Sequence, residues 1–170
     1  MDPKLATALI SGVLIVIALA LIVWGWNNRK KRQSDWGRLA EVPARYESIE
    51  PLAVFPGTYV ATTSEGDWLD RIAVDSLGYK AVSHFFVFSD AVLIAREGSR
   101  DIWIPAEDLT GARTESGMSG KFVEKDGLVV VTWNFNGKAV DTGFRTRYAE
   151  DKGSLLEAIQ TVSDQPLASR

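Results

Sequence analysis

Asp67 and Asp70, on either side of Trp68 and Leu69, are residues whose types and spacing could do chemistry. Two carboxylates this close can share a proton or hold a calcium ion. Calcium, however, takes six to eight oxygen ligands, and neither an EF-hand spacing nor further oxygen donors accompany the pair. Capping a turn and pairing with Arg71 suits them better, which leaves Trp68 as an indole in an acidic loop. His84 is the single histidine, so any His-dependent base depends on it alone. It stands beside Phe85 and Phe86 in a strand-like run, where a partly buried structural histidine is expected. The loop Ser116-Gly117-Met118-Ser119-Gly120 is too short, and lacks the lysine, to cradle phosphates. The chain has no cysteine, which excludes disulfides, thiol chemistry and thiolate metal sites. No GxSxG, Walker A, GxGxxG or HExxH pattern occurs. No catalytic residue, cofactor or metal site is expected.

The elements around these residues divide the chain unevenly. Residues 5–26 carry no charge, and Arg29, Lys30, Lys31 and Arg32 follow. At 1.5 Å per residue such a helix is ~33 Å long, against a hydrocarbon core of ~30 Å. A spanning helix over 5–26 is therefore predicted within an N-terminal region 1–28. Trp24 and Trp26 would sit at the headgroups, with Arg29, Lys30, Lys31 and Arg32 as membrane anchor. A cleaved signal peptide fits less well, because the apolar run continues past Ala18-Leu19-Ala20 and the positive charge follows it. Four cations after the helix against Lys4 before it predict an outside N-terminus and a cytoplasmic C-terminal part. Ala8 and Gly12 have the spacing of a helix-pairing motif, which would let the spanning helix form a homo-oligomer.

The whole chain has a formal charge of -3, but residues 34–170 carry 14 Lys and Arg against 21 Asp and Glu, a formal -7. Nucleic acid is a poor partner for such a domain. Residues 29–56 read as a basic juxtamembrane segment and linker, with Trp36 and Leu39 at the headgroup surface. From Gly57 the pattern changes to short β segments: Gly57–Thr63, Ile72–Val74, Ser83–Phe88, Ala91–Arg96, Asp101–Ile104, Leu109–Glu115, Lys121–Glu124, Leu128–Phe135 and Lys138–Phe144. Asp126-Gly127 and Asn136-Gly137 supply the positive φ angles of tight hairpins. Alternation sets Val129, Val131, Trp133 and Phe135 on one face and Leu128, Val130, Thr132 and Asn134 on the other, the signature of a half-buried antiparallel sheet. Leu155, Ile159 and Val162 mark an amphipathic helix over Tyr148–Val162, and 164–170 reads as a flexible tail.

About seven antiparallel strands in a bent, partly open barrel, capped by a C-terminal helix, is the pleckstrin-homology (PH) layout. The stretches GTYVATTSEGDWLDRIAVDSLGYK (57–80) and IPAEDLTGARTESGMSGKFVEKDGLVVVTW (104–133) carry the resemblance further. The chain resembles an actinobacterial family of small single-pass membrane proteins with a bacterial PH-like domain, here 57–163, often labelled only export, transporter or membrane protein. The resemblance implies no catalytic residues, and a histidine where this chain has Asp75.

Phosphoinositide-binding PH domains use Lys and Arg around the first loop. The corresponding loop here holds Glu65, Asp67 and Asp70 with Arg71 as its nearby cation, and would repel an inositol phosphate. One helix cannot enclose a transport pathway, so a transport role reduces to that of an accessory subunit. The reading is a non-enzymatic, membrane-anchored adaptor at the bilayer whose domain binds a protein partner through Asp67, Trp68, Leu69 and Asp70. A cytoplasmic-side small-ligand or lipid sensor is the alternative.

Overall fold

A computed structural model describes residues 3–34 and 36–164; for residues 3, 5–9, 26–34, 121 and 122 the backbone alone is described. Two compact units divide at Asp35 and Trp36.

The first unit is helix α1, Pro3–Ser34. Its described side chains from Ile10 to Trp24 are exposed, with Leu14 at 61% and Val16 at 65%. Among the described residues no helix is long and apolar enough to cross a membrane. The predicted span also covers 5–9 and 26, whose side chains lie outside the described set, as do those of the anchor residues Trp26, Arg29, Lys30, Lys31 and Arg32.

The second unit is mainly β, closed by one helix. Strands β1 (Ala53–Ser64), β2 (Ala81–Val87), β3 (Ala91–Arg96), β4 (Ile102–Pro105), β5 (Leu109–Glu115), β8 (Leu128–Phe135) and β9 (Lys138–Thr146) form one antiparallel sheet in the order β4-β3-β2-β1-β9-β8-β5. A separate pair, β6 (Gly117–Met118) and β7 (Lys121–Phe122), makes a small hairpin. Asn136 and Gly137 take φ of 50° and 82° and join β8 to β9. Such paired positive φ angles match the twist of the flanking strands. Helix α2, Asp151–Ser163, buries Leu155, Ile159 and Val162 in the main core. Tyr59, Phe85, Val129, Val131, Trp133, Val140 and Phe144 complete that core from the inner face of the sheet.

Three expectations need correction. The region 29–56 does not read as a tether from Trp36 onward. Trp36 and Leu39 are buried in the main core, and Tyr46 packs with Phe88 and Trp103 in a second cluster. This strap has no repeating period because it is held by individual contacts. Trp36 stacks on Phe135 at 6.0 Å, Asn136 Nδ2 donates to Trp36 O (2.7 Å), and the Leu39 N–H donates to Asp75 Oδ2 (2.7 Å). The 72–74 strand is absent; a 3-10 turn, Val74–Ser76, follows instead, with φ of 45° at Asp75 and 62° at Ser76. Arg96, buried beneath it, donates to Asp75 O (2.9 Å) and Ser76 O (3.0 Å) and holds that unusual backbone in place. Finally, Asp126-Gly127 does not close a β7–β8 hairpin, since β7 pairs with β6 and β8 pairs with β5 and β9.

Candidate functional site

Strand alternation builds the floor of the site. Thr62 and Thr142 face inward, where their hydroxyls share a 2.8 Å hydrogen bond. Their neighbours therefore face outward, and the register sets Thr63 opposite Asp141 and Asp141 opposite Thr132. A second outward row runs Ala61, Gly143, Val130 and Arg113 across β1, β9, β8 and β5. The β6–β7 hairpin folds over this row, and Met118 buries itself with Val60, Ala61, Leu128 and Val130 in a small outer core. Val130 and Leu128 are thus buried on the face that simple alternation leaves to solvent.

The hairpin is tied to the loop that follows β1. The Ser119 N–H donates to Trp68 O (2.7 Å), while Arg71 donates from Nε to Ser119 Oγ (2.5 Å) and from Nη2 to Ser119 O (2.9 Å). Between the loop, the hairpin and β5 lies an open cleft of about 390 Å³ lined by Thr63, Gly66, Trp68, Arg113, Glu115, Ser116, Gly117, Met118, Val130 and Asp141.

One ion pair anchors the cleft. Arg113 donates to both Asp141 oxygens, from Nη1 at 3.0 Å and Nη2 at 2.7 Å, and from Nε to Glu115 Oε1 at 2.9 Å. Thr132 Oγ1 and the Gly66 N–H add two more donors to Asp141. Burial alone would raise the Asp141 carboxyl, but these hydrogen bonds and the adjacent guanidinium outweigh it and hold the group below its ordinary value. The same hydrogen bond raises Arg113, against the opposing effect of its partial burial. The loop is thereby pinned at Gly66 to the sheet.

The predicted loop residues do come together at the rim of this cleft. Trp68 is 44% exposed and Leu69 60% exposed. The two carboxylates do not form a metal pair. Asp67 Oδ1 accepts from the N–H groups of Leu69 (3.1 Å) and Asp70 (3.2 Å), and Ser64 Oγ donates to Asp70 Oδ2 (2.7 Å). Among the described residues no cluster of three or more His, Asp and Glu side chains is placed to hold a metal ion. His84 is exposed, 6.3 Å from the Phe86 ring, because it alternates with the inward Phe85; the partly buried position expected for it is not found. Trp103 belongs to the cluster around Tyr46. Sequence reasoning misses Thr63, Arg113, Glu115 and Asp141, which are distant in the chain and meet only through the β5–β8–β9–β1 register. The signal available for one of them is the charged Asp141 between Val140 and Thr142, a carboxylate in a buried strand that requires a cation.

The sequence profile of the bacterial PH domain-like family matches residues 36–160, beginning at the residue that opens the second compact unit. This chain belongs to the bacterial PH domain-like family. No curated protein matches it. Among solved structures it is similar in fold to a chain of the 8S snRNP assembly intermediate, at 6% identity and TM-score 0.50 over 78% of this chain and 94% of that one. It also matches the C-terminal domain of an unknown protein from Leishmania infantum, at 9% identity and TM-score 0.46 over 71% and 90%. An inhibitor-bound Vav1 matches at 16% identity and TM-score 0.43, over 83% of this chain and 33% of that chain. At 6% identity the likeness to the snRNP chain concerns the fold alone.

Proposed function

We propose that this member of the bacterial PH domain-like family is a non-enzymatic adaptor, anchored in the cell membrane by residues 5–26, whose domain captures a protein partner through the Trp68 loop. The observation that carries the partner site is the exposure of Trp68 and Leu69 at the rim of the cleft, on a loop held in shape by Asp67 and by Ser119. A half-exposed indole on a pinned loop suits a binding anchor, because little freedom is lost when it is covered. The membrane anchor rests on the uncharged run 5–26 and on a helix whose described apolar side chains from Ile10 to Trp24 are exposed all round. The domain lies in the cytoplasm, by the four cations that follow the run. The resemblance to actinobacterial single-pass proteins supports the same arrangement.

Two experiments test this reading. Affinity purification of the tagged full chain from gently solubilised native membranes should retain a stoichiometric partner that Trp68→Ala loses. Co-purification unchanged by Trp68→Ala removes the loop as the site. Because the chain has no cysteine, single cysteines introduced at Asp2 and at Ser99 report topology without background. A membrane-impermeant thiol reagent should label the first in intact cells and the second only after lysis.

A second reading, a small-ligand or lipid sensor, draws on the cleft of about 390 Å³, which is the low end of the size that holds small molecules. Stabilisation of the full chain by lipid headgroups or metabolites, retained in Trp68→Ala, would favour it.

A further inference from the structure

We infer that the cleft beside Trp68 receives a basic side chain, an arginine or a lysine, supplied by the partner protein. This deepens the adaptor reading and rests on it.

Charge points that way. Among the described residues, the cleft and the loop at its rim carry the carboxylates of Glu65, Asp67, Asp70, Glu115 and Asp141 against the guanidinium groups of Arg71 and Arg113. Arg113 is committed to Asp141 and Glu115, and Arg71 turns its Nε and Nη2 donors to Ser119. The surplus is negative, and Glu115, with 45% of its side chain exposed, brings it to the mouth of the cleft. A phosphate or carboxylate entering here meets repulsion; an ammonium or guanidinium meets attraction.

A buried hydroxyl requires a polar occupant, and the negative surplus selects an N–H donor over an acceptor. Thr63 is fully buried on the outward face of β1 and lines the cleft, and its Oγ1 is, among the described residues, the one buried side-chain polar atom with no hydrogen-bond partner. An unsatisfied buried hydroxyl destabilises a fold, and an N–H donor relieves it. A purely apolar side chain in the cleft would leave that hydroxyl unsatisfied.

The walls suit the rest of a long basic residue. Met118 and Val130 offer an apolar surface to the methylene stem, and the Trp68 indole can face the cation at the rim. Stem and head are thus matched by one cavity whose lining is partly apolar and partly acidic.

The test uses the full chain in detergent micelles with its tryptophan indoles labelled with nitrogen-15, the Trp68 signal being assigned by Trp68→Phe. The probes are the N-acetyl amides of arginine, lysine, norleucine and glutamate. Arginine and lysine amides should shift the Trp68 indole signal saturably, while norleucine and glutamate amides leave it in place. Glu115→Gln and Thr63→Val should each weaken the response by about threefold to tenfold, and Thr63→Val should also raise Tm, since it removes the unsatisfied hydroxyl. An equal response to norleucine amide, or none to either cation, overturns the inference. Loss of the partner in Trp68→Ala alongside either result leaves the adaptor reading standing. Conversely, a cation response with partner capture unchanged in Trp68→Ala removes that reading and keeps the basic-side-chain site.

Discussion

The Sδ atom of Met118 occupies the space above Gly143: a Cβ built on that glycine would lie 2.6 Å from it. The absence of a side chain at 143 is therefore what lets the β6–β7 hairpin settle on the outer face of the sheet. Its φ is not in the left-handed region, so the requirement is one of space and not of backbone conformation. Gly143→Ala should lift Met118 and loosen the hairpin while the main core, on the opposite face, stays intact. Hydrogen exchange is expected to quicken over 117–122, with a stability loss on the order of 1–3 kcal/mol. Unchanged protection of that hairpin would show that Met118 finds an equivalent seat elsewhere.

Asp141 is 3% exposed and its ion pair with Arg113 closes the cleft floor. Its carboxyl is held below the ordinary range when folded, so the unfolded chain takes up the proton first as pH falls. The contribution is complete above the unfolded value of about 4 and disappears as pH drops through the lower folded value. Asp141→Asn should cost about 2 kcal/mol near neutrality, less than a fully buried pair because Arg113 is partly exposed. It should also flatten the fall in Tm below about pH 4. Thermal melts of both forms between pH 3 and 7 check the two expectations, and parallel Tm curves would contradict the second.

The strap before β1 is part of the domain, and its removal should show as lost stability. Trp36→Ala takes away the ring stacked on Phe135 and also the ring beneath Lys138 Nζ, 4.6 Å from its centroid. A loss of about 3 kcal/mol is expected, by denaturant titration of the full chain. Asp75→Ala removes the acceptor for the Leu39 N–H and should cost about 1 kcal/mol. If neither variant moves the midpoint, the strap is a passenger and its buried side chains contribute nothing net.

These examples show which parts of the molecule are legible in its sequence. The β8–β9 hairpin is readable because strict alternation and Asn136-Gly137 agree, and α2 because Leu155, Ile159 and Val162 keep one helical face. The strap is not readable, since Trp36, Leu39 and Tyr46 lie on irregular chain and their partners are tens of residues away. The 72–74 segment misleads because Ile72 is apolar and β-branched for a different reason: it fills the core just before a turn that Arg96 holds from below. The Trp68 loop shows itself through its mixture of indole and carboxylates. The cleft beside it does not, because register alone brings Arg113 to Asp141 and leaves Thr63 at their side.

The loop itself yields the last expectation. Asp67 supplies an acceptor and not a charge to the local structure, since Oδ1 receives two backbone N–H groups within the loop. Asparagine keeps that oxygen and alanine loses it. Asp67→Asn should therefore leave Trp68 where it is, with its fluorescence maximum and the proteolysis rate of the loop unchanged. Asp67→Ala should free the turn, shift the Trp68 emission and speed cleavage between 66 and 70, at a cost of about 1 kcal/mol. Together the pair separates shape from charge. If partner capture survives Asp67→Asn and fails in Asp67→Ala, the partner reads the position of the indole. If it fails in both, the partner reads the Asp67 carboxylate directly.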